Sequence, residues 1–289
     1  MSTSTSVETL GIIGFPARHS LSPAFQQAAI DALGLYARYE IWEVAEAGLG
    51  PLIASLRSGP RIGANVTIPH KQAVRAFLDR IDALADRIGA VNTIVREGGR
   101  LVGYNTDAPG FLRSLVEAGG DDPAGAAVLL LGAGGAARAV AYALIEAGVE
   151  RLTIANRGRQ RAEELAGHLG AGPRVAVVDW ASADLIGVAR AADLIVNATS
   201  LGMAHGPAAE SSPLPAGAIR PGVVVYDLVY VPARTPLLAQ AAERGARLVE
   251  GLPMLIHQGA IAFEHWFGRP APIGVMTQAA EAALAARRG

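Results

Sequence analysis

Short apolar runs rich in β-branched residues alternate with Ala- and Leu-rich stretches of helical period throughout this 289-residue chain. Runs such as AVLLLG (127–132) and GVVVYD (222–227) are apolar without alternation, which is typical of strands covered on both faces. Strands that alternate with helices form parallel sheets with helices packed on their faces. The pattern therefore predicts an α/β protein.

The same periodicity predicts where individual elements lie. Strands are predicted at 10–14, 63–68, 127–132, 151–156, 193–198 and 222–227. Helices are predicted at 22–34, 70–81, 135–148, 159–170, 251–268 and 277–288.

A turn-rich stretch, AGGDDPAG (118–125), separates two series of strands and helices. We therefore predict two domains with a cleft between them. The first is a substrate-binding and catalytic domain over 1–107, completed by C-terminal helices within 252–289. The second covers 108–251 and begins its own series of strands at residue 127.

Composition excludes several classes of site and partner. The chain has no cysteine, which excludes disulfides, iron–sulfur clusters and thiol nucleophiles. The formal net charge of −1 provides no basic field for nucleic acid or anionic lipid. No apolar run reaches the roughly 18 residues of a membrane span. The six histidines are scattered, without the spacing of metal ligands.

From these exclusions, and because the first ten residues lack the features of a secretory signal, we expect a soluble cytoplasmic protein. We expect no metal, no nucleic-acid partner and no membrane partner. The oligomeric state stays open, with a homodimer as one option.

The predicted strand at 127–131 runs directly into G-A-G-G-A-A (132–137) and then into a helix. Gly132 would permit the tight turn, Gly134 would let the backbone approach a pyrophosphate, and Ala137 would take the small position where helix meets strand. In a chain this rich in glycine and alanine, the alternative is a turn of small residues without a ligand. The strand–turn–helix context favours a Rossmann-type dinucleotide-binding domain.

The end of the next strand indicates which dinucleotide binds. NAD-binding domains place Asp or Glu there, whereas this strand ends in Asn156-Arg157, with Arg159 and Arg161 following. Arginine can hold a 2′-phosphate through paired hydrogen bonds. The alternative, a solvated charged face, suits Arg159 better than Arg157. We predict NADP as the cofactor.

Outside this half, four short strings collect small polar groups: GFPARHSLSP (14–23), NVTIPHK (65–71), GAVNT (89–93) and GYNTD (103–107). Their hydroxyl and amide groups suit a polyhydroxylated carboxylic acid, and Lys71 with Asp107 could manage a proton. Lys71 is the single lysine in a chain that otherwise uses arginine, which favours a task that needs a proton to be released. The alternatives are an ordinary surface lysine and an Asp107 that caps a helix.

The chain resembles the shikimate dehydrogenase family over nearly its whole length. The resemblance is carried by the strings above together with NTDAPG, GAGGAA, ANR, NATSLGM, YDLVYVPARTPLL and GLPMLIHQ, in order and with compatible spacing. It implies NADP-linked interconversion of 3-dehydroshikimate and shikimate in aromatic amino-acid biosynthesis.

The resemblance also implies site residues, residue by residue. The catalytic pair would be Lys71 and Asp107. The substrate contacts would be Ser20, Ser22, Thr67, Asn92, Tyr230 and Gln258. The cofactor contacts would be Gly132, Ala133, Gly134, Gly135, Ala136, Asn156, Arg157, Arg161, Thr199, Leu228 and Gly251.

Three alternatives to this function are weighed. A relative acting on quinate or on an amino-substituted shikimate would share the scaffold. A non-catalytic sensor of shikimate-like acids would be expected to lose Lys71 or Asp107, and both are present. Lys71 could form a Schiff base with a ketone, but that chemistry needs no nucleotide domain.

Overall fold

A computed structural model describes residues 7–118, 122–204, 206 and 208–287 of the chain. The chain divides into a first unit, residues 1–110 with 256–289, and a second unit, residues 111–255. Residues 1–6 of the opening segment and 119–121 of the predicted turn-rich stretch lie outside the described residues. None of the helices in the described ranges has both the length and the apolar character needed to cross a bilayer.

The described chain contains the following strands and helices. The strands are β1 (Glu8–Gly14), β2 (Ala37–Glu43), β3 (Gly63–Val66), β4 (Arg80–Ile81), β5 (Thr93–Glu97), β6 (Arg100–Tyr104), β7 (Ala127–Leu131), β8 (Arg151–Asn156), β9 (Val175–Asp179), β10 (Leu194–Asn197), β11 (Val224–Asp227) and β12 (Arg247–Val249). The helices are α1 (Ser22–Ala32), α2 (Glu46–Ser55), α3 (Ala83–Ile88), α4 (Asp107–Glu117), α5 (Gly135–Glu146), α6 (Arg159–Leu169), α7 (Ala183–Ala191), α8 (Pro236–Glu243), α9 (Leu252–Phe267) and α10 (Ile273–Ala286).

The first unit contains a six-stranded sheet in the order β2-β1-β3-β5-β6-β4. Strands β1, β2 and β3 pair in parallel, but β5 runs antiparallel to both β3 and β6. The prediction of parallel sheets does not hold for β5. The reason is a tight hairpin, in which Gly98 (φ +55°) and Gly99 (φ +82°) turn β5 directly into β6.

The prediction of a helix at 70–81 is also wrong. Its centre is a short 3₁₀ helix, Ala73–Phe77, and its last two residues form β4. The Asp79 amide donates to the Leu101 carbonyl (3.0 Å), and the Asp79 carboxylate accepts from the Leu101 amide (2.8 Å). Because this pairing draws the chain alongside β6, the segment ends as a strand despite its helical period.

The C-terminal helices belong largely to the first unit. Helix α10 packs against α1. The Trp266 indole on α9 donates to the Ile94 carbonyl of β5 (2.9 Å), and the buried Gln26 amide on α1 donates to the Gly259 carbonyl of α9 (2.9 Å). Helix α9 is thereby joined to both the sheet and α1.

The second unit contains a fully parallel sheet in the order β12-β11-β10-β7-β8-β9. The chain first builds outward from β7 to β9 and then returns to β10, beside β7, and builds the other way. This is the doubly wound Rossmann arrangement, in which ligands bind at the carboxyl ends of the strands where the direction reverses. The predicted α/β fold class is confirmed.

Candidate active site

Lys71 and Asp107 form a direct ion pair in the first unit. Lys71 Nζ lies 2.6 Å from Asp107 Oδ2, and the side chains are 14% and 5% exposed. The Lys71 carbonyl accepts from the Val91 amide (2.8 Å), which fixes the turn after β3. Asp107 begins α4, but the Asn105 side chain accepts from the first amides of that helix, including that of Asp107 (3.1 Å). The Asp107 carboxylate is therefore directed at Lys71 and not at its own helix.

Asn92 orients the Asp107 carboxylate of this ion pair by donating to its other oxygen. Its Nδ2 lies 2.8 Å from Asp107 Oδ1, 2.8 Å from Thr106 Oγ1 and 3.2 Å from Gln258 Oε1. Its Oδ1 accepts from the Thr106 amide at 2.7 Å. Because carboxylate oxygens only accept hydrogen bonds, the amide nitrogen must face Asp107, and the orientation of Asn92 is fixed.

A buried row of polar side chains joins Ser22 to Asn92. The Tyr39 hydroxyl, which lies beside Ser22, donates to Asn65 Oδ1 at 2.6 Å. Asn65 Nδ2 then donates to Thr93 Oγ1 (3.2 Å), which lies 3.1 Å from Asn92 Oδ1. Burial raises the pKa of Tyr39 well above its ordinary value, so the phenol stays protonated. The row connects residues 14–23, which carry Ser20 and Ser22 and are called the serine loop, with the ion pair.

The serine loop and the strand ends that carry it are joined by backbone hydrogen bonds. The Thr67 amide donates to the Ile13 carbonyl (2.8 Å), and the Phe15 amide to the Ile68 carbonyl (3.0 Å). Ser20 Oγ accepts from the Ser22 amide at 3.1 Å. The segments after β1 and β3 thus lie side by side at one edge of the sheet.

Two charged residues hold the serine loop from distant parts of the chain, and sequence reasoning missed both. Glu43 accepts from the amides of Ala17 (3.1 Å) and Arg18 (3.2 Å), and it pairs with the Arg18 guanidinium. The Arg18 hydrogen bond is the main reason why the pKa of Glu43 falls to about 2. Arg287, just after α10, donates to the carbonyl oxygens of His19 (2.6 Å) and Ser20 (3.0 Å).

The predicted substrate and catalytic residues divide between the units as follows. Those of the first unit are Ser20, Ser22, Thr67, Lys71, Asn92, Asp107 and Gln258, and Tyr230 belongs to the second. Across the ranges that the structure describes, no group of three or more His, Cys, Asp or Glu residues could hold a metal ion.

The glycine turn after β7 has the geometry that a nucleotide requires. Gly132 has φ +114°, and a Cβ built there would lie 2.9 Å from the Ala198 carbonyl oxygen. Gly134 precedes α5, and no atom lies within 4 Å of the position its Cβ would take. Ala137 is fully buried against the sheet. The turn therefore leaves open space at the N-terminus of a helix, where phosphate groups bind.

The arginines after β8 differ in how they are engaged. Arg159 forms ion pairs with Glu163 (2.7 Å) and Asp179 (2.6 Å). Arg157 and Arg161 are exposed, and neither forms an ion pair with another described residue. The solvated-face interpretation therefore fits Arg159, while Arg157 and Arg161 are available to an anion.

The remaining predicted cofactor residues lie after the central strands of the second unit. Thr199 follows β10 and Leu228 follows β11. A Cβ at Gly251 would lie 2.5 Å from the Leu228 carbonyl oxygen, so this close approach requires glycine. Asp227, between these residues, is fully buried, and sequence reasoning assigned it no role. Its place inside the YDLVYVPARTPLL string is the only signal that could have indicated one.

Sequence-family profiles match three parts of the chain. They are described as the shikimate dehydrogenase substrate binding domain (residues 12–94), shikimate/quinate 5-dehydrogenase (114–205) and the shikimate 5′-dehydrogenase C-terminal domain (251–281). Shikimate dehydrogenase (NADP(+)) of Moorella thermoacetica is 50% identical over 282 residues, covering 97% of this chain and 95% of that protein. The chain belongs to the shikimate dehydrogenase family.

Other members of the shikimate dehydrogenase family agree in sequence and in structure. Shikimate dehydrogenase (NADP(+)) of Symbiobacterium thermophilum is 51% identical, covering 95% of this chain and 94% of that protein. The crystal structure of shikimate 5-dehydrogenase from Thermus thermophilus, in complex with NADP(H) and shikimate, superposes with a TM-score of 0.85 at 42% identity. It covers 96% of this chain and 100% of that one. The predicted family is confirmed.

Proposed function

We propose that this protein is a cytoplasmic enzyme that reduces 3-dehydroshikimate to shikimate with NADPH, and catalyses the reverse oxidation with NADP. The observation that carries the proposal is the Lys71–Asp107 ion pair, which lies beside hydroxyl and amide groups in the first unit. The second unit adds the open glycine turn before α5. The names of the relatives support the same substrate and cofactor.

In this proposal the two units have different tasks. The first unit, with a domain boundary near residue 107, binds substrate through Ser20, Ser22, Thr67, Asn92 and Gln258. The second binds NADP and contributes Tyr230 to the substrate. Asn92 acts mainly by orienting Asp107, since its two amide protons are shared among Asp107, Thr106 and Gln258.

The proton is handled by the chain itself. When bound, NADPH supplies the hydride. Reduction of the ketone places negative charge on its oxygen, and Lys71 Nζ donates a proton there. Asp107, 2.6 Å from Nζ, holds the ammonium group in place.

The cofactor would be held by three groups of the second unit. Backbone amides of Gly132, Ala133, Gly134, Gly135 and Ala136 would bind the pyrophosphate at the start of α5. Asn156, Arg157 and Arg161 would bind the 2′-phosphate, and Thr199, Leu228 and Gly251 would contact the rest of the cofactor. The exposed, unpaired state of Arg157 and Arg161 among the described residues supports this assignment.

Replacing Arg157 with alanine is expected to reduce the preference for NADP over NAD by at least about tenfold, since a hydrogen bond between charged groups contributes about 1.5–3 kcal/mol. The loss should appear as a higher KM for NADP with little change for NAD. Steady-state rates with both cofactors measure it. Arg159→Ala is the matched control, because Arg159 is already paired with Glu163 and Asp179. An equal loss in both variants would contradict the assignment.

Replacing Ser22 with alanine is expected to raise the KM for shikimate about tenfold while the KM for NADP stays constant, because one hydroxyl and its link to Tyr39 are lost. Initial rates with each substrate varied in turn measure both constants. Ser55→Ala serves as the control, since Ser55 bonds only within the α2 region and to Arg61. A rise in the KM for NADP instead would assign the serine loop to the cofactor.

Initial rates with shikimate and with quinate, each with NADP and with NAD, test the proposal as a whole. The expected result is the highest kcat/KM with shikimate and NADP. Faster turnover of quinate, or equal use of NAD, would overturn the substrate or the cofactor assignment.

A further inference from the structure

Asp227, at the end of β11, has a buried carboxylate whose hydrogen-bond partners among the described residues are all neutral. Its Oδ1 accepts from Asn197 Nδ2 (2.9 Å) and the Val229 amide (3.0 Å), and its Oδ2 accepts from Thr235 Oγ1 (2.6 Å). Asp227, Asn197 and Thr235 are all fully buried. These three contacts join the ends of two neighbouring strands to the start of α8.

This carboxylate is unfavourable to bury. Burial raises the pKa of Asp227 to about 6, and the three hydrogen bonds only partly oppose that shift. A buried ion without a cation as partner is unfavourable compared with a neutral side chain of the same shape. An asparagine could link the two strands without an ionisable group. The presence of a carboxylate at this position therefore indicates a role beyond that link.

The Asp227 carboxylate fixes the orientation of the Asn197 side-chain amide. A carboxylate only accepts hydrogen bonds, so Asn197 must present its NH₂ group to Asp227. Its oxygen then faces the other way, where it accepts from the backbone amide (3.1 Å) and the hydroxyl (2.7 Å) of Thr199. Thr199 Oγ1 in turn accepts from the Leu201 amide at 3.1 Å. The orientation of one amide thus sets the conformation of the loop after β10.

The loop after β11 is held by the same two residues, Asn197 and Asp227. The Leu228 amide donates to the backbone carbonyl of Asn197 (2.9 Å), and the Val229 amide donates to the Asp227 carboxylate. We propose that Asp227 is a positioning residue, whose carboxylate fixes the loops after β10 and β11 and thereby places Thr199 and Leu228 for NADP. This inference rests on the proposed function, in which those two residues contact the cofactor.

The test measures the Kd for NADP and for shikimate by calorimetry on the full-length protein, with the thermal midpoint of each variant. Asp227→Asn has one accepting oxygen instead of two, so it cannot accept from Asn197, Val229 and Thr235 together, and a rise of about fivefold or more in the Kd for NADP is expected. Thr235→Val should have the same effect because it removes the hydrogen bond to Oδ2, and Thr235→Ser should retain wild-type affinity. The Kd for shikimate should not change.

Asp193→Asn is the matched control. Asp193 also bridges strands, since it accepts from the Ala127 amide (3.0 Å) and pairs with Arg220 (2.9 Å), but it lies at the opposite end of β10. Its variant should bind NADP normally.

Wild-type affinity in both Asp227→Asn and Thr235→Val, or an equal loss in Asp193→Asn, would overturn the inference. If Asp227→Asn does not fold, the two Thr235 variants decide. Failure of the wild-type protein to bind NADP would instead overturn the proposed function, and this inference with it.

Discussion

Replacing Lys71 with alanine is expected to lower kcat by at least about a hundredfold, because a positioned acid contributes typically 10²–10⁴ in rate. The KM for NADP should stay constant, since Lys71 belongs to the first unit and the predicted cofactor residues to the second. Steady-state kinetics with shikimate and NADP measure both constants, and circular dichroism checks the fold.

Lys71→Arg separates proton transfer from simple charge. Arginine keeps the positive charge beside Asp107 but does not release its proton, so we expect nearly the same loss of activity. Arg80→Ala, which removes an exposed ion pair with Glu97 in the same unit, is the control and should retain activity. Most of the wild-type activity in Lys71→Arg would mean that Lys71 only binds or orients the substrate.

The stability of the wild-type protein relative to Asp227→Asn is expected to fall by about 2 kcal/mol as the pH rises from about 4.5 to about 7.5. The folded-state pKa of Asp227, about 6, lies above its ordinary value of 3.8. Between these values the folded protein binds a proton that the unfolded chain has released. Folding therefore becomes less favourable as the pH rises through this window, and the difference is constant above it.

Urea unfolding of both proteins at several pH values measures this difference, and the comparison cancels the other titrating groups. The hydrogen-bond partners of Asp227 are the neutral groups of Asn197, Val229 and Thr235, so the slope belongs to the carboxylate. Parallel pH profiles for the two proteins would show that Asp227 titrates normally in the folded state.

Several elements of the second unit, including β7, β8 and α6, could be predicted closely, because the central strands are covered on both faces and form continuous apolar runs. Strand β9 and helices α7 and α8 were not predicted. The prediction at 151–156 coincides with β8. The elements of the first unit were harder to predict from the sequence. Residues 70–81 have a helical period, yet their last turn is drawn into pairing with β6, and periodicity cannot reveal a partner 22 residues away.

The residues of the candidate site show the same limit, because local sequence patterns do not reveal partners that are distant in the chain. Lys71, Asp107 and the glycine turn stand in short strings with recognisable chemistry, and the sequence indicates them. Glu43 and Arg287 act on the serine loop from positions 25 and 268 residues away, so no local pattern could have pointed to them. Asp227 lies in an indicative string, but its importance comes from burial and from Asn197, which only the fold brings into contact with it.

The first unit is assembled from two separated stretches of chain, whereas the second unit is one continuous stretch. During synthesis on a ribosome, the strands of the first sheet emerge early, but α10, the packing partner of α1, emerges only after the whole second unit. The second unit can therefore fold while the first unit still lacks its final helices. Arg287, which donates to the carbonyl groups of His19 and Ser20, follows α10, so the serine loop gains these two hydrogen bonds only after the second unit has been synthesised.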